Sequence, residues 1–194
     1  MDKPPALHAH AMDNLRFIRD TMSRAGQFTG IPGWGGVAMG ATAIATAALA
    51  ERRPDRSRWI LWWFAEAALA ILIAAVTMTR KARRMQVPLF AGPARRFAFA
   101  YVPPLVAGAV LTVVFINTSL TPRLPGCWLL LYGVAISAGG ALSIRIVQVM
   151  GLLFMALGVA AFASPASWGD IFMAAGFGGL HIIFGFIIAR NHGG

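Results

Sequence analysis

Charge is what this 194-residue sequence has least of. Asp, Glu, Lys and Arg make up 12% of it, about half the roughly 25% of an ordinary soluble domain, too few to coat a water-facing globule. Acids are scarcer still, 7 against 17 Lys and Arg. A single cysteine, Cys127, excludes an internal disulfide, and no Cys/His cluster has zinc spacing. His8 and His10 stand two apart and so share no helix face, which makes "HAH" a weak metal motif. The sequence has no nucleophile elbow, no phosphate-binding glycine loop and no zinc-protease motif. No cofactor or metal is therefore expected. The opening "MDKPPALHAHAMDNLRF" carries acids and lacks a short apolar core with a cleavage site, so it does not read as a cleaved signal peptide.

What is present is apolar length. Hydrophobic residues are 58% of the chain, and the mean hydropathy is +0.67. A spanning helix needs about 20 largely apolar residues to cross roughly 30 Å of hydrocarbon. Six runs qualify: Ile31 to Leu49, Trp59 to Thr79, Phe99 to Leu120, Cys127 to Ile144, Ile146 to Ala163, and Trp168 to Ala189. Linkers such as "AERRPDRSR", "TPRLPG" and "SPAS" separate them with Pro, Gly or charge. Only Arg145 parts the fourth from the fifth, where a short turn is expected. The expected fold is an all-α integral membrane protein: an amphipathic segment over 1–30, a six-transmembrane-helix bundle over 31–190, and a tail over 191–194.

Orientation follows from Lys and Arg alone. With the amino terminus inside, twelve of the 17 fall in inner segments and five, Arg52, Arg53, Arg56, Arg58 and Arg123, in outer loops. Both termini are thus predicted on the cytoplasmic face of an inner (plasma) membrane. The basic excess is assigned to insertion topology and anionic lipid, not to nucleic acid. Before the first span, Met12, Leu15, Ile18 and Met22 recur at helical spacing with polar residues off that line. This predicts an amphipathic helix lying on the inner leaflet.

The spans also repeat. The second helix of each successive pair opens with tryptophan and closes with arginine, in "WILWWFAEAALAILIAAVTMTR", "WLLLYGVAISAGGALSIR" and "WGDIFMAAGFGGLHIIFGFIIAR". Trp59, Trp128 and Trp168 are expected at the outer interface and Arg80, Arg145 and Arg190 at the inner one. The last hairpin, "GLLFMALGVAAFASPASWGDIFMAAGFGGLHIIFGFIIAR", resembles the HdeD-like acid-resistance membrane proteins, whose hairpins pair Gly-rich apolar helices across a proline-containing turn. Pro103 and Pro104 depart from that pattern. The resemblance implies a six-helix inner-membrane protein associated with stress tolerance, and it implies no catalytic residues.

Ionisable groups within a span are costly, face protein or water, and are functional candidates by default. Glu66 and His181 are the two deep ones, at depths that differ by roughly 8 Å at the helical rise. A polar intramembrane site is expected to draw on Glu66, His181, Asn117 and Gln148, with His181 as the group titrating near neutral pH. The competing reading has each group satisfied by hydrogen bonds across a helix interface. Bis-histidine haem would need a second deep histidine, and His8, His10 and His192 lie in terminal segments. Small residues four apart, Gly36 with Gly40, Ala174 with Gly178 and Ala175 with Gly179, predict close helix packing around His181. Asp170 is read as a first-turn acid with Ser167 as its helix cap. Two functions follow. One is a non-enzymatic membrane protein acting through its bundle, with a second copy or another membrane protein as partner. The alternative is a small transporter or substrate-binding subunit, with a small-molecule ligand near Glu66 and His181.

Overall fold

The computed structural model describes residues 12–18, 29–51, 55–86, 92–116 and 118–192. Among these every regular element is helical. A short helix, α1, covers 12–18; Met12, Leu15 and Ile18 are exposed on it, and Met22 lies outside the described residues. The long elements are α2 (Gly33–Glu51), α3 (Arg56–Met85), α4 (Pro93–Phe115), α5 (Leu124–Gly140) and α6 (Arg145–Ala163). The last part of the chain runs through α7 (Gly169–Met173), a π-helical stretch Ala174–Leu180, and α8 (His181–His192).

Among the described residues five stretches are long and apolar enough to cross a membrane: Gly33–Ala50, Ser57–Arg84, Pro93–Phe115, Arg145–Ala163 and Ala166–His192. The protein is thus a helical membrane protein of multi-pass type. The expected fourth span is shorter than the sequence suggests. α5 has 17 residues and rises about 26 Å at ~1.5 Å per residue, somewhat less than a typical hydrocarbon core. It ends early because the chain turns before Arg145, where the Leu142 and Ser143 N–H groups donate to the Gly139 and Gly140 carbonyls, each at 3.0 Å. Arg145 itself is exposed and opens α6.

The third span also shifts toward the amino terminus. Pro93 starts α4, where its missing N–H costs nothing. The helix stops at Phe115, where the single Thr121 hydroxyl proton has the Phe115, Ile116 and Thr118 carbonyls within reach (2.7, 3.1 and 2.9 Å) and offers the backbone a non-helical partner. Pro103 and Pro104 stay inside α4. The last span is not one uniform helix. Its π turn holds three glycines in seven residues, "AAGFGGL", which resist the wider coil least.

Two glycine-lined seams organise the bundle. α2 and α8 run antiparallel, since Gly33 meets Ala189, Gly36 meets Gly185, and Gly40 meets Gly178 and Ile182. A methyl group on Gly40 would sit 2.6 Å from the Gly178 carbonyl oxygen. α5 and α6 pair in the same way through Gly126, Gly133 and Gly140 against Gly158, Gly151 and Gln148. Without side chains the backbones approach closely and gain dispersion contact, the main force between helices in lipid. Between the seams lies a core of Leu129, Ile136, Phe154, Met173, Phe184 and Ile188. The outward faces of α3 and α4 expose Leu61, Ile71, Leu72, Val106 and Val113, suited to lipid rather than water.

Candidate functional site

Glu66 faces α2 from the first half of α3. Thr42 and Thr46, one turn apart on α2, present their hydroxyls on the same face. Thr42 Oγ1 donates to Glu66 Oε1 at 2.8 Å and Thr46 Oγ1 to Oε2 at 3.2 Å. Each carboxyl oxygen therefore has a donor, and the side chain is only 7% exposed. A carboxyl group in lipid needs such partners. The arrangement is a fastening between neighbouring helices.

His181 opens α8 directly after the π turn and points the other way, toward α5 and α6. Its Nε2 is 2.7 Å from the Tyr132 hydroxyl. Tyr132, Phe154 and Phe177 enclose the ring at centroid distances of 5.4, 5.4 and 6.2 Å. Tyr101 of α4 packs edge-on against Tyr132 at 6.3 Å and shares a hydrogen bond with it. The Nδ1 atom of His181 is buried without a hydrogen-bond partner. Wider coiling places it near the Gly176 and Phe177 carbonyls but outside bonding geometry. π turns recur at functional sites.

A third polar cluster closes one end of the bundle. Asp170 Oδ1 accepts from the indole N–H groups of Trp59 (2.7 Å) and Trp63 (3.2 Å). Trp59 stacks on Trp128 at 5.6 Å and 7°, and the Trp128 indole donates to Thr112 Oγ1 at 2.8 Å. Asp170 does lie in the first turn of α7, but Ser167 provides no cap, because no side chain bonds to that terminus. At the opposite end Lys81, 5% exposed, donates to the Ile31 and His192 carbonyls, each at 2.9 Å. It ties the start of α2 to the end of α8.

Of the four residues expected to form one polar site, the three that are described stand apart. Glu66 is bonded at the α2–α3 interface and His181 at the α8–α5 interface. Gln148 is exposed in the first turn of α6, with its backbone against Gly140. Asn117 lies outside the described residues. Of the packing glycines, Gly36, Gly40 and Gly178 make close approaches, whereas a methyl group on Gly179 would meet only the Ala174 carbonyl of its own helix, at 4.0 Å. Sequence reasoning missed Thr42, Thr46 and Tyr132. The threonines carried a signal, four residues apart at the depth of Glu66. The seven-residue spacing of Gly126, Gly133 and Gly140 was a second. Among the described residues no group of His, Cys, Asp and Glu could hold a metal ion. Comparison of the chain with protein-family models, with curated proteins and with solved structures found no match in any of the three.

Proposed function

We propose that this is a non-enzymatic, six-crossing protein of a bacterial inner membrane that acts through its bundle and through partner proteins. A part in stress tolerance is what the likeness of residues 151–190 to the HdeD-like proteins adds. The carrying observation is the fastening of Glu66 by Thr42 and Thr46, which spends the deepest carboxyl group on joining two helices. Glycine seams on both sides support the same reading, since they suit a firmly packed body that presents its outer faces to lipid and to other membrane proteins.

The alternative is a small transporter or substrate-binding subunit, and one observation favours it: His181 Nδ1 is buried and unpartnered beside a π turn. Native mass spectrometry of the protein in mild detergent separates the two. The expected outcome is a defined oligomer or a complex with a second membrane protein, without a stoichiometric small molecule. A small molecule bound one-to-one by the wild type, and lost in a folded His181→Leu variant, would move the assignment to the second reading.

A further inference from the structure

Where α4, α5 and α6 meet beside the α4–α5 turn, an open groove of about 330 Å³ lies on the surface. Leu111, Phe115, Cys127, Leu131 and Phe162 line it, and Arg123 stands among them as the one charged lining residue. The volume is at the low end of small-ligand sites. Its exposed walls are apolar throughout, Arg123 bordering it through its hydrocarbon stem, which matches a hydrocarbon chain whose anionic end lies outside the groove.

Arg123 is held in place for such a role. One guanidinium nitrogen donates to the Phe162 carbonyl at the end of α6, at 2.8 Å. A guanidinium carries five N–H donors in a fixed fork, so this bond orients the group and leaves others free for a phosphate. Among the described residues Arg123 forms no ion pair. Among the acids whose side chains are described each has another partner: Asp13 with Arg16, Asp55 with Arg58 and Ser57, Glu66 with its threonines, Asp170 with its indoles. Trp128 follows Cys127 on α5 and joins the tryptophan cluster, the residue type of a membrane–water interface.

We propose that this groove is a binding site for an anionic phospholipid, with an acyl chain along Leu111, Leu131 and Phe162 and the headgroup phosphate on Arg123. The site goes beyond the scaffold reading and stands whether or not the protein has partners.

The test is retention of lipid by delipidated protein offered equal amounts of phosphatidylglycerol and phosphatidylcholine, read by native mass spectrometry. Wild type is expected to keep one phosphatidylglycerol in preference. Arg123→Gln should lower that preference about five-fold, the scale of one basic residue at a lipid surface. Leu111→Trp, which fills the groove from α4, should lower retention of both lipids at this site. Equal retention of the two lipids by wild type overturns the proposal without needing any variant. So does an undiminished preference in folded Arg123→Gln, which would place the lipid on other basic residues. Displacement of the lipid by inorganic phosphate at millimolar concentration would show a free-anion site and also overturn it.

Discussion

Glu66 and His181 show how much a single residue reveals before its neighbours are known. Both stand out in the sequence because an ionisable group in an apolar run is expensive, and both are buried in the fold. Their partners did not stand out. Thr42, Thr46 and Tyr132 are ordinary residues for a membrane helix, and only the pairing of α2 with α3 and the reach of Tyr132 from α5 to the start of α8 give them a task. The Glu66 fastening has a measurable consequence. Thr42→Val should lower unfolding stability in detergent by about 1 kcal/mol, within the range for a hydrogen bond between membrane helices. Thr46→Val should cost less, because its bond is longer. In a Glu66→Leu background Thr42→Val should be nearly neutral. Equal losses in both backgrounds would show that Thr42 acts through packing alone.

At the scale of elements, apolar runs located the helices, and their ends were set by features that hydropathy does not weigh. Pro93 starts α4 early, the Thr121 hydroxyl ends it early, and a four-residue turn shortens α5. The π turn before His181 was invisible, because π and α coiling bury the same apolar residues. Small-residue spacing marked α2 and the last helix as closely packed but did not pair them or tell which glycine faces the seam. Gly40 faces the Gly178 carbonyl, and Gly179 faces open space. Gly40→Ala should therefore destabilise the protein by about 1–3 kcal/mol, as overpacking does when backbone must yield. Gly179→Ala should change stability by no more than about 0.5 kcal/mol. Thermal unfolding of the two variants side by side checks this, and an equal effect would mean that the seam adapts.

The whole molecule turns on α5. Charge counting predicts both termini on one side, which requires an even number of crossings, and five stretches meet the length for crossing on their own. α5, at 17 residues, falls short by length and not by composition, yet it is the helix with the most buried surroundings, holding Leu124, Leu129, Ala135 and Ile136 inside the bundle. It is also antiparallel to both sequence neighbours. Gly139 lies against Phe97 of α4 while Trp128 reaches Thr112, and on the other side Gly126 lies against Gly158 of α6 while Gly140 lies against Gln148. A helix flanked in this way by two spanning helices is screened from lipid, so it need not match the full hydrocarbon thickness. The six-crossing proposal rests on this placement, with Arg123 at one end of α5 and Arg145 just beyond the other. Cysteine labelling decides the point. In a Cys127→Ala background, Thr118→Cys and Ala166→Cys should react with an impermeant reagent from one side of the membrane, and Gln86→Cys and Ala141→Cys from the other. If Thr118→Cys and Ala141→Cys react from the same side, α5 is a re-entrant segment, the termini lie on opposite faces, and the orientation drawn from arginine and lysine is wrong for half of the chain.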